Sequence, residues 1–345
     1  MNATTDVLLE VEGLRKYFPI QKGFIRKTVG YVKAVDDVNL RVRRGEVLGV
    51  VGESGCGKTT LGRCLVRVYD PTGGQILLRS GNHEIDVTNL GGDQMREFRR
   101  SVQMIFQDPY ASLNPRMNVL ETVGEPLKVN GLASGRELED RVGKVIQQVG
   151  LRVEHLRRYP HSFSGGQRQR IGIARALVVD PQLVIADEPV SALDVSIQAQ
   201  ILNLLKDLQE QNNLTYVFVS HNMAVIRYIS DRIAVMYAGK LVELGAKTEL
   251  LDRPKHPYTE LLLAAVPRAT DRHRGQRTVT PGEPPDLARL PSGCVFRTRC
   301  AYAHERCAAE EPILREIEPG YFVSCHFAED LTLGGVVSRV KSLPA

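Results

Sequence analysis

The 345 residues suffice for one large domain and a smaller second one, and 43% hydrophobic with 25% charged residues exclude a disordered or fibrous chain. No apolar run approaches the ~20 residues that a membrane-spanning helix requires, and the N-terminus lacks the features of a signal peptide, so we expect a cytoplasmic location. The net charge of +5 comes from lysines and arginines spread along the chain, which does not predict nucleic-acid binding.

The first part of the chain predicts antiparallel strands that lead into a phosphate-binding loop. Apolar and polar residues alternate at 9–12 and 38–42, a period typical of half-buried strands, and residues 75–78 continue that layer. An apolar run at 47–51 precedes GESGCGKT at 52–59, which fits G-x-x-x-x-G-K-[ST] in its required strand–loop–helix context. We expect backbone N–H groups of this loop to surround phosphates at a helix N-terminus.

Individual loop residues have distinct predicted roles. Lys58 would contact the β and γ phosphates, and the Thr59 hydroxyl would ligate Mg²⁺. The predicted nucleotide contacts in this region are Gly52, Ser54, Gly55, Cys56, Gly57, Lys58, Thr59 and Thr60. Because a thiol at a helix N-terminus tends to have a lowered pKa, we also expect Cys56 to be reactive.

Helical signals replace strand signals from about 93 to 170, with helices predicted at 137–149 and 167–178. Strands and helices alternate afterwards: strand 183–186, helix 197–210, strand 215–219, a helix from 223 and strand 232–237. This alternation predicts a mostly parallel sheet with helices on both faces. The strand at 183–186 ends in two carboxylates, of which Asp187 would hold Mg²⁺ and Glu188 would polarise the attacking water.

The run SFSGGQRQR at 162–170 resembles the signature of the ATP-binding cassette (ABC) family. Other segments resemble that family's motifs in the expected order: an adenine-stacking aromatic, the Q-loop, the signature, the D-loop and the switch histidine. Their candidate residues are Phe18 with Tyr17, then Gln107, then Ser164, Gly165, Gly166 and Gln167, then Asp194, then His221.

The resemblance implies an α/β fold, namely a P-loop NTPase cassette. Its parts would be a RecA-like, mostly parallel core sheet, an antiparallel β subdomain and an inserted helical subdomain at about 108–180, all within residues 1–260. It also implies an ATPase with Glu188, His221 and Gln107 as catalytic residues, and Mg²⁺ held at Thr59, Gln107 and Asp187. Two such cassettes would face each other, so that each signature binds the ATP on the partner.

Residues 261–345 predict a loop-rich extension because proline density rises there. The segments HPYT at 256–259, PGEPP at 281–285 and SLNPR at 112–116 resemble oligopeptide and dipeptide importer ATPases. That resemblance implies import of di- or oligopeptides, with nickel or another small solute as the alternative cargo. It implies as partners a second, different cassette, two transmembrane permease subunits docked near residues 107–127, and an extracytoplasmic binding protein that acts through the permease. The chain would then lie peripherally on the cytoplasmic face of the cell membrane.

Four cysteines, Cys294, Cys300, Cys307 and Cys325, are spaced C-x5-C-x6-C-x17-C. A reducing cytoplasm disfavours disulfides, zinc sites usually show C-x2–4-C pairs, and an iron–sulfur cluster also takes four thiolates. Spacing alone leaves the metal open. The resemblance to peptide-importer ATPases implies a 4Fe-4S cluster, with zinc as the alternative. We expect this site to be structural, and a redox sensor is the second interpretation.

Two other classes of protein were considered. Soluble cassette ATPases that act on nucleic acid or ribosomes typically have two cassettes, a coiled-coil insertion or zinc knuckles, and this sequence shows one phosphate loop and neither of the other features. A non-catalytic regulatory subunit is disfavoured because Glu188 is intact.

Overall fold

The structure is a computed structural model that describes residues 7–24, 26–80, 83–265 and 282–335. Pro281 of the proline-rich segment, and the parts of the predicted extension at 266–280 and 336–345, lie outside the described residues. The strands are β1 (Val7–Lys22), β2 (Lys27–Arg43), β3 (Val47–Val51), β4 (Gly73–Ser80), β5 (His83–Asp86), β6 (Val102–Ile105), β7 (Leu183–Asp187), β8 (Thr215–Ser220), β9 (Arg232–Tyr237), β10 (Lys240–Ala246), β11 (Arg315–Glu318) and β12 (Tyr321–Val323).

Helices alternate with these strands through most of the chain. They are α1 (Lys58–Leu65), α2 (Gly92–Ser101), α3 (Val119–Val129), α4 (Gly135–Gln148), α5 (Gly165–Leu177), α6 (Val195–Asn212), α7 (Met223–Ile229), α8 (Lys247–Asp252), α9 (Pro257–Ala264) and α10 (Glu305–Ala309). No helix in the described part of the chain is both long and apolar enough to cross a membrane.

The core is an eight-stranded sheet of order β11-β12-β10-β9-β3-β8-β7-β6. Strands β9, β3, β8, β7 and β6 run parallel, as the alternation of elements predicted. β3, β7 and β8 are buried along their whole length, which explains their nearly continuous apolar sequences. Parallel order places the carboxyl ends of β6, β7 and β8 at one edge, where ligands bind in sheets of this type.

A second, antiparallel sheet has the order β2-β1-β4-β5. Strands β1, β2 and β4 contain the segments 9–12, 38–42 and 75–78 that the sequence predicted as strands, whereas β5 was not predicted. Their inward side chains, among them Leu9, Val11, Leu40 and Ile76, pack in one cluster with Leu61 of α1. The antiparallel sheet therefore covers the helix that follows the phosphate-binding loop.

Helices α3, α4 and α5 form the predicted helical insertion. α4 and α5 lie within two residues of their predicted bounds, an ordinary spread for helix ends. α3 begins with a reciprocal capping box in which Asn118 Oδ1 accepts from the Glu121 N–H at 2.9 Å. The prediction that strands are lacking between 93 and 170 is wrong, because β6 pairs with β7 there. Its four residues are too few to show a periodic pattern.

The C-terminal extension adds two strands to the core sheet. β12 pairs antiparallel with β10, where Glu243 lies opposite Val323 and Leu244 opposite Phe322. β11 then pairs with β12, and the buried Tyr321 donates its hydroxyl to Glu243 Oε1 at 2.6 Å. The extension is thus loop-rich as predicted but continuous with the core sheet, which the sequence analysis did not anticipate.

Candidate functional site

The phosphate-binding loop connects β3 to α1 and depends on glycine at its narrowest point. Gly57 caps the helix with a φ of +108°, and a Cβ there would lie 2.0 Å from the Ala34 carbonyl oxygen. No other residue fits this conformation and this space. The unpaired N–H groups at the start of α1 consequently face the loop, an arrangement that favours an anion.

Lys58 is held inside the loop. Its side chain is almost fully buried, and Nζ donates to the carbonyl oxygens of Gly52 and Glu53 at 2.8 Å each. The ammonium is therefore directed by backbone atoms of the loop itself. It supplies a fixed positive charge where the loop would enclose phosphates.

Thr59 and Asp187 provide the oxygen ligands that suit Mg²⁺. Thr59 Oγ1 donates to Asp187 Oδ1 at 3.0 Å, and Asp187 is 2% exposed at the end of β7. Burial raises the pKa of Asp187 despite the hydrogen bond from Thr59, so a cation would favour its charged form. Mg²⁺ is commonly bound by one or two carboxylates together with substrate phosphates, and this pair fits that chemistry.

Three predicted catalytic side chains meet at the ends of three neighbouring strands. Glu188 Oε2 accepts from Gln107 Nε2 at 3.1 Å, and Glu188 Oε1 lies 3.0 Å from His221 Nδ1. Glu188 adopts a φ of +46°, which non-glycine residues seldom adopt outside sites that require it. Its backbone N–H donates to the Val219 carbonyl at 2.9 Å, which holds the turn in place.

These groups line one open pocket of about 580 Å³, within the range of ordinary ligand sites. Its lining residues are Phe18, Val32, Ala34, Ser54, Gly55, Gly57, Lys58, Thr59, Thr60, Gln107, Glu188, His221 and Leu287. Six of the eight predicted loop contacts line the pocket together with Phe18 and Gln107, whereas Gly52, Cys56 and Tyr17 do not. Leu287, from the extension, was missed because no sequence motif marks it.

Of the two candidate adenine-stacking aromatics, the structure brings Phe18 to the pocket. Neighbouring residues of a strand point to opposite faces, and the hydroxyl of Tyr17 donates instead to Asp36. Burial and this hydrogen bond raise the pKa of Tyr17 to about 12. The Phe18 and Tyr69 rings form a T-shaped pair with centroids 5.5 Å apart, and the Lys16 ammonium lies 5.0 Å from the Phe18 centroid.

The expectation of a lowered pKa for Cys56 is wrong. The thiol is 5% exposed, and burial raises its pKa even though Lys58 Nζ lies 3.7 Å from Sγ. Desolvation of a thiolate thus outweighs the nearby positive charge and the helix N-terminus. Cys56 lines a neighbouring cavity with Tyr237 and Pro285 rather than the pocket that holds Lys58.

The signature and D-loop residues lie outside this pocket. Ser164 caps α5, and its Oγ accepts from the Gln167 N–H at 3.4 Å while Gln167 Oε1 accepts from the Ser164 N–H at 3.1 Å. Gly165 and Gly166 form the first turn of α5. Asp194 caps α6 by accepting from the Ile197 N–H at 3.0 Å. Within one chain these residues stabilise helix starts, and Ser164 remains exposed to another molecule.

The four C-terminal cysteines, Cys294, Cys300, Cys307 and Cys325, line one small cavity. Burial, with a smaller contribution from the neighbouring thiols, raises the pKa of Cys294 and of Cys300 to about 11. Among the described residues, no group of three or more His, Cys, Asp or Glu side chains is arranged to hold a metal ion. The thiols share a cavity without the close spacing that one tetrahedral ion requires.

The extension also reaches the phosphate-binding loop. Arg299, one residue before Cys300, forms two hydrogen bonds with the Glu53 carboxylate, at 2.6 and 2.8 Å. Sequence reasoning missed this pair because 246 residues separate its members.

Models of known protein families match both the N-terminal and the C-terminal part of the chain. The family described as "ABC transporter" matches residues 35–191. The family described as "Oligopeptide/dipeptide transporter, C-terminal region" matches residues 242–307.

Similar proteins extend along nearly the whole sequence. The chain is 50% identical over 329 residues to the oligopeptide transport ATP-binding protein AppF of Bacillus subtilis (strain 168), covering 94% of this chain and 98% of that protein. It is 48% identical over 322 residues to a putative peptide import ATP-binding protein of Brucella ovis, covering 93% and 98%.

Solved structures agree on the fold. A dimeric structure of the ATP-binding cassette MJ0796, in a post-hydrolysis state with ADP and Pi, has a TM-score of 0.60 at 29% identity and covers 70% of this chain and 99% of that chain. The structure of cbiO1 from Clostridium perfringens has a TM-score of 0.59 at 29% identity, covering 71% and 90%.

Proposed function

This chain belongs to the ABC family, among the ATPase subunits of peptide importers, and we propose that its phosphate-loop pocket performs the hydrolysis through Glu188, Gln107 and His221. It is an ATP-binding, ATP-hydrolysing subunit that powers peptide import through membrane permease partners. One observation carries the assignment of roles: the Glu188 carboxylate lies between Gln107 and His221, beside the Thr59–Asp187 pair.

The residues act on ATP in complementary ways. Lys58 and the N–H groups of the loop bind the β and γ phosphates, and Phe18 stacks on the base. Thr59 and Asp187, together with Gln107, would hold Mg²⁺, which would supply positive charge to neutralise the phosphates. Glu188 orients the water that attacks the γ-phosphate and accepts its proton, while His221 stabilises the charge that develops on the phosphate.

The second half of each site would come from another cassette. Ser164 is exposed at the N-terminus of α5, where its hydroxyl oxygen accepts from the Gln167 N–H at 3.4 Å. Its hydroxyl and the N–H groups of Gly165 and Gly166 can therefore receive a partner's γ-phosphate. Gln167 fixes this turn, and Asp194 would face the partner through the D-loop. We propose that the partner is a different cassette and that the pair docks on two permease subunits that receive peptide from an extracytoplasmic binding protein.

Docking on the permease would use the surface after β6. Tyr110, which is 60% exposed, lies there with its ring 4.1 Å from the Arg168 guanidinium. Aromatic residues paired with arginine are typical of interface centres. The chain would therefore lie on the cytoplasmic face of the membrane and remain peripheral to it.

We place the boundary between cassette and extension at 260/261, with the helical insertion at about 108–180. The bounds of α3, α4 and α5 fall inside that insertion. The match of the C-terminal family begins earlier, at residue 242 within β10, which fits an extension that shares the core sheet.

The four-cysteine cavity would hold a 4Fe-4S cluster. What supports this proposal is that all four thiols line one cavity, since four thiolates are the ligand set of such a cluster. Zinc, which four thiolates can also bind, is the alternative. Because this segment has little apolar core of its own, we propose that the cluster stabilises it rather than carrying electrons.

The cluster is tested by anaerobic purification. The protein should be brown with about four irons per chain, and Cys300→Ser should bleach it while MgATP binding by the phosphate loop remains detectable. The control is Cys64→Ser, which changes a buried thiol of α1 that is distant in sequence from the four C-terminal cysteines. A colourless protein with one zinc per chain would overturn the cluster but not the transport function.

Peptide import is tested in proteoliposomes that contain the chain, its partner cassette, the two permease subunits and the binding protein. ATP should drive accumulation of a labelled tripeptide, and Lys58→Ala should abolish it because ATP no longer binds. Two results would contradict the assignment of this chain to ATP-driven peptide import. One is equal peptide accumulation by the Lys58→Ala and wild-type assemblies, and the other is no accumulation by the wild-type assembly.

A further inference from the structure

The phosphate-binding loop is anchored from outside the cassette core. Arg299 of the extension has a side chain that is 3% exposed, and it forms a bidentate ion pair with Glu53, whose side chain is 25% exposed. Bidentate arginine–carboxylate pairs fix both the position and the orientation of the carboxylate. Glu53 is the second residue of the GESGCGKT loop.

Every polar group of Glu53 is engaged. Its backbone N–H donates to the Tyr258 hydroxyl at 2.8 Å, and its carbonyl oxygen accepts from Lys58 Nζ at 2.8 Å. The same residue is thus held by the extension through its carboxylate, by α9 through its N–H and by the phosphate-binding lysine through its carbonyl. Movement of the Glu53 side chain would shift the carbonyl that positions Lys58.

The ion pair is connected to the four-cysteine cavity by packed rings. Phe296, 2% exposed, lies 5.1 Å from Tyr237 and 5.4 Å from Tyr258 between ring centroids. Phe296 also lines the cavity of the four cysteines. Arg299 Nη1 is 3.4 Å from the Tyr237 hydroxyl. The cavity, the rings and the phosphate-binding loop are therefore in continuous contact.

The pair also has an electrostatic effect on the ligand. A carboxylate within a loop that binds phosphates repels them, and the repulsion is strong at short range when solvent is partly excluded. The Arg299 guanidinium, permanently charged, compensates the Glu53 charge on the side away from the pocket. With the Glu53 charge compensated, the charge of the loop that acts on a bound nucleotide is that of Lys58.

We propose that Arg299 is a positioning residue for ATP binding, through which the C-terminal extension fixes the phosphate-binding loop. The inference rests on the proposed nucleotide site. Because coupling free energies are reciprocal, bound MgATP also stabilises the extension around residues 294–300. The extension therefore contributes to ATP binding by positioning the phosphate-binding loop.

The test measures binding of a fluorescent ATP analogue with Mg²⁺ to the purified full chain. Arg299→Met should weaken binding at least about tenfold, since it leaves the Glu53 charge uncompensated and its carboxylate unanchored. The affinity of Arg299→Lys should lie between those of wild type and Arg299→Met, because lysine keeps the positive charge but cannot form the bidentate pair of a guanidinium. Arg306→Met is the matched control, because that exposed arginine of α10 pairs with the exposed Glu310 directly after the helix. This variant should bind the analogue as wild type does.

Two further readouts separate positioning from mere folding. Adding Glu53→Gln to Arg299→Met should restore most of the lost affinity, because it removes the repulsive charge, whereas a misfolded extension would not be rescued. Hydrogen exchange at 294–300 should slow with MgATP in wild type and much less in Arg299→Met.

The outcomes are distinct. Affinity of Arg299→Met within twofold of wild type, or no rescue in the double variant, would overturn the inference and leave the proposed site intact. Failure of wild type to bind the nucleotide at all would overturn the proposed site itself.

Discussion

Glu243 offers a test of how the extension is joined to the core. This carboxyl is fully buried in β10 and accepts from the Lys255 N–H at 2.6 Å, the His256 N–H at 3.2 Å and the Tyr321 hydroxyl at 2.6 Å. Burial nevertheless raises the pKa of Glu243 from 4.5 to about 7. We predict that Glu243→Gln changes how the free energy of unfolding depends on pH.

The sign and the size follow from linkage. With the folded pKa above the unfolded one, the contribution of Glu243 is complete below pH 4.5 and is lost as pH rises to about 7. Over that pH interval the contribution of Glu243 to the free energy of unfolding falls by about 3 kcal/mol, at about 1.4 kcal/mol per pH unit. Glutamine has no such titration. The loss of a second acceptor oxygen adds a cost that does not vary with pH.

His256 opposes Glu243 in the same place. Burial lowers the pKa of His256 from 6.5 to about 3, so its contribution is present above pH 6.5 and is lost as pH falls. Between pH 4.5 and 6.5 the two slopes cancel in wild type. The difference in unfolding free energy, variant minus wild type, isolates Glu243 and should rise by about 3 kcal/mol from pH 4.5 to 7.

The assay is urea unfolding followed by circular dichroism at pH 5 and pH 8, since the chain has no tryptophan. Glu305→Gln, an exposed carboxyl at the start of α10, is the control and should show a constant difference. A difference for Glu243→Gln that is flat across this range, or that falls with pH, would refute the reasoning.

Further predictions concern the nucleotide site. Glu188→Gln should slow phosphate release about 10²–10⁴-fold at unchanged MgATP affinity; near-normal turnover would remove Glu188 from its role. Iodoacetamide should label Cys56 slowly with or without MgATP, because the thiol is buried, and mass spectrometry showing fast labelling that MgATP blocks would contradict this placement. Leu287→Ala should weaken ATP binding by roughly five- to tenfold, because an apolar contact is lost. Calorimetry should show unchanged binding of tripolyphosphate, and Leu290→Ala is the control. An equal loss of affinity for ATP and for tripolyphosphate would contradict contact between Leu287 and the base.

The features that the sequence predicted correctly are local ones. The phosphate-binding loop needs glycine, lysine and threonine at fixed spacing, so GESGCGKT predicts its own geometry. The helix predicted at 197–210 is confirmed as α6, in which Ile201, Leu205 and Leu208 recur at helical intervals and are buried. The sequence favoured Phe18 over the adjacent Tyr17 by its spacing alone, because which face of a strand is buried depends on the sheet that it joins.

What the sequence did not predict depends on distant partners or on solvent exclusion. β12 is three residues long, and its pairing with β10 carries no periodic signal. The expectation for Cys56 failed because desolvation depends on atoms that other elements bring in, such as Met236 beside Gly52. The Arg299–Glu53 pair joins ordinary surface residue types, and only the folded chain shows that this arginine is buried.

The pairing of β12 with β10 has a consequence for biosynthesis. Strand β10 ends at Ala246 and β12 at Val323, so 323 − 246 = 77 residues must still be translated before the outer edge of β10 is covered. At about 5–20 residues per second this takes about 4–15 s. During that time the uncovered edge of β10 offers unpaired N–H and C=O groups to other nascent chains. Once β12 docks, the exposed edge becomes β11, a four-residue strand of sequence REIE whose charges discourage further pairing. Premature termination before Tyr321 should therefore yield an aggregation-prone cassette even with the whole nucleotide pocket translated.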